Sequence, residues 1–477
     1  MNKQKITYAL TTVAFLGSAA LFPAFASTIQ EVGNGAFSNS DVQANSSNTT
    51  DVNQNNASTI TNNVQATADT GNNSASYNTG SSVNVFTGAA NTNVGITNMT
   101  GSNTANVIGA GSGGAQSTAV AGNGAFSDNA VQSNNTTSTA LNQNNSATVT
   151  NDVNVANNTG NNSANFNTGS DVNIYSGNAN AYVGLYNATG GNAATVIGGG
   201  NSGGGQIVGV GGNGAFSNNN VSTSSNNSTS LTQSDITRLA NNVFLNNNTG
   251  GNGASFNTGS NVNILSGGAN AQVGITNLAG GNSALVLGGG NDGWMSTYVL
   301  GNGAFSTNNV SQRNSLRTAL TQSNLSYVAN TIESMNSTGN NTAGFNTGSN
   351  VLVASGNANS WVSLLNTTGV NIARLLGIGG NGGNTNVNVS GNGAFSNNNV
   401  ESMMDTSTWL NQTNDSSIMN TISSHNSTGG NSDEYGTGSG FGSMSYLMPS
   451  HSLTASGNAG TGVSLNNQAS ANYLASY

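Results

Sequence analysis

The hexapeptide GNGAFS occurs five times in this chain, at an almost constant spacing. The copies begin at Gly33, Gly122, Gly212, Gly301 and Gly391, so that successive steps are 89 or 90 residues. Self-similarity at a fixed period is typical of repeat proteins, in which stacked units share one continuous core. The period therefore predicts five copies of one structural unit of about 90 residues.

A second motif recurs with the same period, and an aromatic residue precedes it in each repeat. NTGS begins at Asn78, Asn167, Asn257 and Asn346, and GTGS takes its place at Gly436. Rings held in register are expected to be core anchors, each burying about 150–250 Å². The predicted structural anchors are the asparagine and phenylalanine of each GNGAFS copy and the aromatic before each NTGS copy: Asn34, Phe37, Tyr77, Asn123, Phe126, Phe166, Asn213, Phe216, Phe256, Asn302, Phe305, Phe345, Asn392, Phe395 and Tyr435.

Short stretches between these motifs alternate with period two, as in Val172-Asn173-Ile174 and Val183-Gly184-Leu185. Alternation of this kind predicts β-strands with one face inward, and the Gly/Asn segments between them predict sharp turns. The predicted fold class is therefore all-β, a β-solenoid or β-arcade of five repeats. The alternative is five tandem β-sandwich domains, because 90 residues is a suitable length for one sandwich.

The spacing of the turns, about 14 to 21 residues, suggests that each turn unit is one coil. On this interpretation the chain has roughly 20 to 25 coils and forms a rod of roughly 100–120 Å at about 4.8 Å per coil. Equivalent asparagines in successive coils are expected to form ladders of side-chain amide hydrogen bonds.

The two ends of the chain differ from the repeats. Residues 1–26 have the basic residues Lys3 and Lys5, an apolar stretch and the triplet Ala24-Phe25-Ala26, which together predict a cleaved secretory signal. No later stretch is apolar enough to span a membrane. Residues 27–390 hold four repeats, and residues 391–477 form a divergent fifth repeat with about 11 extra residues near Gly440 to Pro449. We expect that last repeat to cap the array.

Composition narrows the class of function. Charged residues are 4% of the chain and the formal net charge is −9 at pH 7. After residue 26 there is no lysine and only four arginines, Arg238, Arg313, Arg317 and Arg374. Nucleic-acid binding and attachment to anionic lipid both need clustered basic residues and are therefore excluded. The chain has no cysteine, so disulfides do not stabilise it.

No motif predicts an enzyme, a cofactor or a metal site. The segments GAGSGG and GIGGNG fit a dinucleotide-binding pattern but lack the strand-to-helix context that such a site needs. Asp292 stands alone in a calcium-repeat-like fragment, and His425 and His451 have no partners at ligand spacing.

Three features resemble the curlin-type repeat proteins, the secreted amyloid subunits of bacterial surface fibres. They are Gly-Asn-x-Ala turns such as Gly177-Asn178-Ala179, amide-rich arcs such as Asn142-Gln143-Asn144, and short alternating strands. The resemblance covers the repeats as a style of sequence, not as an alignment, and it implies a secreted structural role in a fibre or biofilm matrix.

We therefore expect a secreted or cell-surface structural protein that self-associates into fibres. The first alternative is a rod-like adhesin whose ligand is a surface glycan or a protein, with Trp409, Tyr446 and Tyr473 at its contact end. The second is an ice-binding protein, since regular Thr and Asn ranks on a flat face can order water.

Overall fold

The computed structural model describes residues 19–20, 28–80, 82–109, 116–169, 171–198, 206–259, 261–287, 295–347, 350–376, 385–434 and 451–476. In these ranges the chain contains β-strands and turns and no helix, and every strand pairing is parallel. The predicted all-β solenoid is confirmed. Because the repeats pair with one another strand by strand, they are not independent sandwich domains.

One complete 90-residue repeat forms one coil of the solenoid. Asp128 pairs with Asn39 on one side and with Asn218 on the other, and Thr307 and Asn397 continue the same column. The structure therefore has five coils, and the prediction of 20 to 25 coils is wrong. The turn units within a repeat are successive sides of a single large coil, and each pairs with its own copy 89 or 90 residues away.

The coils run through six sheets, which we number in chain order; sheet 3 has strands in the second to fifth coils only. Sheet 1 contains Thr28–Val32, Gln116–Ala121, Gln206–Gly211, Met295–Leu300 and Thr385–Ser390. Sheet 2, the long sheet, contains the 31-residue strands Asn39–Asp69, Asp128–Asn158, Asn218–Asn248, Thr307–Ser337 and Asn397–Ser427. Sheet 3 contains Ser163–Asn165, Gly253–Ser255, Thr342–Gly344 and Ser432–Glu434.

The return wall of the coil follows. Sheet 4 contains Ser82–Phe86, Asp171–Tyr175, Asn261–Leu265, Asn350–Ala354 and His451–Ala455. Sheet 5 contains Ala90–Met99, Ala179–Ala188, Ala269–Leu278, Ala358–Thr367 and Ala459–Gln468. Sheet 6 contains Asn103–Ile108, Asn192–Ile197, Asn282–Leu287, Asn371–Leu376 and Asn472–Ser476, and the two-residue strand Ala19–Ala20 pairs at its edge.

The cross-section is two layers thick. Sheet 2 forms one wall, and sheets 5, 6 and 1 lie against it in turn. Val131 near the start of a long strand packs in one cluster with Val120 of sheet 1, and Leu141 packs with Val196 of sheet 6. The last third of the long strand packs on sheet 5, while sheets 3 and 4 close the end of the layer. The core is therefore a thin seam of Val, Leu, Ile and Ala between two walls.

The molecule is wide and short. A strand of 31 residues extends about 100 Å, and five stacked coils rise only about 24 Å. The predicted rod of roughly 100–120 Å along the solenoid axis is therefore wrong, and the dimension of about 100 Å runs along the strands. The first coil begins at Thr28, two residues after the predicted cleavage site, and apart from Ala19–Ala20 the predicted signal segment lies outside the described residues.

The divergent last repeat forms a fifth coil. Asn397–Ser427 pairs with Thr307–Ser337 along its whole length, and the return wall resumes at His451. Partner spacing on that wall is 101 residues, as between Asn366 and Asn467, because the insertion falls between Glu434 and His451. The insertion itself, with Pro449, lies outside the described residues.

Candidate functional site

The asparagine of each GNGAFS turn forms a ladder along the solenoid axis. The backbone N–H of Asn123 donates to Oδ1 of Asn213 at 3.1 Å, and Asn213 donates in the same way to Asn302 at 3.3 Å. All three side chains are buried. Asn34 and Asn392 end the ladder at the first and fifth coils. The ladder thus links each of these asparagines to its counterpart in the next coil.

The aromatic ring of each GNGAFS turn lies on the surface, so its prediction as a buried core residue is wrong. Phe126, Phe216 and Phe305 are 50–51% exposed, and the terminal rings of Phe37 and Phe395 are 77% and 82% exposed. Their φ angles are near +60°, a left-handed conformation that directs the ring out of the turn. The rings instead stack on one another, with centroids 4.9–5.1 Å apart.

The aromatic before each NTGS motif behaves in the same way and was also wrongly predicted to be buried. Tyr77, Phe166, Phe256 and Phe345 are 46–76% exposed, with ring centroids 5.0–5.1 Å apart. Tyr435 lies outside the described residues. Each of the first four repeats thus contributes one ring to each of two exposed aromatic ladders, and the fifth contributes Phe395 to the first ladder.

Amide ladders also run through the interior, as predicted. The most connected lies between sheets 2 and 5, where two asparagine columns are cross-linked. Nδ2 of Asn241 donates to Oδ1 of Asn330 at 2.7 Å within one column and to Oδ1 of Asn277 at 3.1 Å in the other. Asn241 also accepts from Asn151 and Asn187. Amides suit this arrangement because each has both a donor and an acceptor.

One interior column contains a carboxyl group in place of an amide. Asp235 stands between Asn145 and Asn324, and Nδ2 of Asn145 donates to its Oδ1 at 2.6 Å. Burial raises the pKa of Asp235 to about 7, although hydrogen bonds from Asn145 and Thr237 act in the opposite direction. Oδ1 of Asn324 is buried and accepts no hydrogen bond from any described residue. A protonated Asp235 has the donor that this column lacks.

The two end surfaces of the solenoid differ from its interior layers. Val149, Leu239 and Val328 form one column in the middle coils, and each has 0% exposure. In the same column Ile60 of the first coil and Ile418 of the fifth are only partly buried, because each has a neighbour on one side. Within the described ranges, no segment pairs with the outer edge of Asn39–Asp69 or of Asn397–Ser427.

Charged side chains never face one another in neighbouring coils of the described chain. Asp235 lies between Asn145 and Asn324, and Glu333 lies between Phe244 and Ser423. Like charges directly opposite in adjacent strands destabilise a sheet, so this distribution favours stacking.

In the described part of the chain, no three His, Cys, Asp or Glu side chains come close enough to hold a metal ion. The calcium-like fragment around Asp292 and the segment GIGGNG lie outside the described residues. His425 is opposite Met335 in the long sheet. Tyr446 also lies outside the described residues, while Trp409 and Tyr473 are exposed on the fifth coil.

No protein-family model, curated protein or solved structure matches this chain. The structure describes no helix that is long and apolar enough to cross a membrane.

Proposed function

We propose that this chain is a secreted structural protein that stacks end to end into an extracellular fibre. The observation that carries the proposal is the pair of open long-strand edges, one at each end of the solenoid in the described chain. Each edge is 31 residues long, and unpaired edges of this kind readily accept further strands. Stacking a second chain on either end would also bury Ile60 and Ile418 as fully as their counterparts in the middle coils.

The two end surfaces carry the same kinds of residue in the same columns. If the fifth coil of one chain stacks on the first coil of the next in the register used inside the chain, Gln412 meets Gln54 and Asn420 meets Asn62. Within the chain, Asn330 already donates to Asn420, so Nδ2 of Asn420 is oriented to continue the ladder. Interior ladders would then run uninterrupted across the junction.

Charges are compatible with the same register. The long strand of the first coil carries three acidic residues, Asp41, Asp51 and Asp69. In the stacked arrangement these face Asn399, Trp409 and Ser427. Conversely, the three acidic residues of the fifth long strand, Glu401, Asp405 and Asp415, face Gln43, Ser47 and Ala57. The junction therefore creates no pair of opposed carboxylates.

Such a junction joins different surfaces head to tail and does not close on itself, so it generates a filament. In-register parallel stacking with amide and aromatic ladders is the arrangement found in cross-β fibres. The resemblance to curlin-type fibre subunits supports the same proposal, and the predicted secretory signal supports an extracellular location.

The test uses residues 27–477 and negative-stain electron microscopy. We expect filaments about 100 Å wide in which each subunit adds about 24 Å. The variant Q43E/S47D/A57D places three carboxylates opposite Glu401, Asp405 and Asp415 of the next chain. At about 4.8 Å each pair should repel by about 1–3 kcal/mol, and assembly should be lost at low salt and recover at about 1 M salt.

A matched control adds the same charge to the same strand and face. In N45D/N53D/T59D the new carboxylates would face Met403, Asn411 and Ser417 of the next chain, and filaments should persist. If both variants assemble equally, the proposed register is wrong. If the unmodified chain gives only discrete particles under all conditions of salt and pH, the fibre proposal fails and the adhesin hypothesis is favoured.

A further inference from the structure

A groove of about 820 Å³ runs along the outer face of sheet 5, parallel to the solenoid axis. Two neighbouring columns of outward-facing residues form its walls. The first wall contains Asn91, Asn180, Asn270, Asn359 and Gly460. The second wall contains Asn93, Tyr182, Gln272, Trp361 and Gly462. None of the described residues that line the groove is charged, so the site suits a neutral ligand.

The first wall is a ladder of amides. Nδ2 of Asn180 donates to Oδ1 of Asn91, and Nδ2 of Asn270 donates to Oδ1 of Asn180, both at 2.8 Å. Asn359 continues the ladder to Asn270 at 3.1 Å. Each amide has two N–H donors and two lone pairs, and the ladder uses only one of each. The wall therefore presents a regular row of donors and acceptors to a bound molecule.

The second wall alternates amide and aromatic residues. Tyr182 and Trp361 occur in the second and fourth coils and are 44% and 52% exposed, while Asn93 and Gln272 occupy the first and third coils. The indole of Trp361 leans over the fifth coil: a Cβ added to Gly462 would lie 2.3 Å from its Cε3 atom. The glycine leaves this ring room to lie across the sheet.

This alternation sets the distance along the solenoid axis between the two aromatic residues of the second wall. The backbone positions that carry the two rings, in the second and fourth coils, are about 9–10 Å apart along the axis. Two sugar rings joined through equatorial bonds have a similar length. In such a chain successive sugars turn over, so the same apolar face recurs at every second ring. A ring at each such position can stack on that face, while the hydroxyl groups meet the amides.

We propose that this groove binds a neutral polysaccharide of β-1,4-linked sugars, lying along the solenoid axis. Aromatic side chains combine a large apolar face with limited conformational freedom and suit this kind of contact. The binding site is on a side wall of the solenoid and does not involve the end surfaces. It therefore remains accessible whether or not the chain forms a fibre.

The test is isothermal titration calorimetry of the full chain with cellohexaose and with chitohexaose, which separate an unsubstituted from an N-acetylated sugar of the same linkage. Maltohexaose, whose α-1,4 bonds give a curved chain, is the negative control. We expect binding to at least one β-1,4 probe and none to maltohexaose. Trp361→Ala and Tyr182→Ala should each weaken binding about tenfold.

Two further variants separate stacking from general effects. Gly462→Ala keeps the indole but displaces it and should also weaken binding. Tyr327→Ala removes an aromatic ring that is 38% exposed on the long sheet, outside the groove, and should leave binding unchanged. The assembly-blocking variant Q43E/S47D/A57D should bind as well as the unmodified chain.

Three results would overturn the proposal: no binding of either β-1,4 probe, equal binding of maltohexaose, or unchanged binding by Trp361→Ala. If Trp361→Ala instead reduces side-by-side association of the protein in the absence of sugar, the groove is a contact between copies of this chain. Because these readouts do not need filaments, failure of sugar binding and failure of fibre assembly are distinguishable.

Discussion

Replacement of Asp235 by Asn should stabilise the protein at neutral pH. The side chain is buried in an amide column, and burial raises its pKa from 3.8 to about 7. Between these two values the folded state binds a proton that the unfolded state has lost, so stability falls as pH rises. A difference of about three pKa units at 1.36 kcal/mol each amounts to about 4 kcal/mol at pH 7.

Asparagine removes this ionisation and restores the missing donor. Asn145 and Asn324 each donate to a turn carbonyl, that of Gly190 and that of Gly369 respectively. An ionised Asp235 can donate neither to the equivalent carbonyl nor to Oδ1 of Asn324, whereas an amide can. We therefore expect Asp235→Asn to be more stable than the unmodified chain by up to about 4 kcal/mol at pH 7.5 and similar to it near pH 4.

Urea unfolding between pH 4 and pH 8 measures this difference directly. The unmodified chain should lose stability across this range, and Asp235→Asn should remove that part of the pH dependence. Asp152→Asn is the matched control, because Asp152 is an exposed acid on the long strand of the second coil. The reasoning is refuted if Asp235→Asn gives no gain at pH 7.5, or if its gain is equally large at pH 4.

Three further predictions, on an amide ladder, a close backbone contact and a ring ladder, use the same unfolding measurement. Asn241→Ala should lower the free energy of unfolding by about 3 kcal/mol or more, because it leaves several buried amide groups without partners. A decrease below about 1 kcal/mol would contradict a stabilising role for the ladder. Gly214→Ala places a Cβ 2.4 Å from the backbone nitrogen of Ala125 and should lower the free energy of unfolding by about 1–3 kcal/mol. Its control is Gly209→Ala, whose Cβ meets no atom within 4 Å and which should leave the free energy of unfolding nearly unchanged. Phe216→Ala breaks two ring contacts and should lower the free energy of unfolding by about 1–3 kcal/mol. Phe395→Ala breaks one ring contact and should have about half that effect. Equal effects of the two substitutions would argue against stabilisation by ring stacking.

The sequence predicted the strands whose inward residues are apolar. The alternation at Val172-Asn173-Ile174 and at Val183-Gly184-Leu185 corresponds to strands of sheets 4 and 5. The long strand was not predicted as one element, because much of its inward face is polar. Thr137, Thr139 and Gln143 are all fully or almost fully buried there, so hydrophobicity does not show the period of two.

The number of coils and the position of the rings could not be read from sequence for a related reason. A turn between two sides of one coil and a turn between two coils use the same Gly and Asn residues. Only the pairing of Asp128 with Asn39 and Asn218 distinguishes them. Similarly, the fixed position of Phe126 indicates a structural role, but its exposure depends on a φ of 59°, which residue type does not predict.

A single constraint explains why this interior tolerates amides and not charges. Each interior side chain of a middle coil faces its own counterparts about 4.8 Å above and below. A residue type that suits this position must complement itself: an aliphatic chain packs on its copy, and an amide both donates and accepts. An ionised carboxylate only accepts, which is why Asp235 fits when it is protonated.

The same constraint bears on the end surfaces. Gln54 and Asn62 on the first coil, and Gln412 and Asn420 on the fifth, remain self-complementary, although no described segment pairs with the outer edge of either terminal long strand. A terminal coil that only ended the structure would have no need to match the residues of the opposite end. Matching of the two ends is the property that an axially repeating fibre requires.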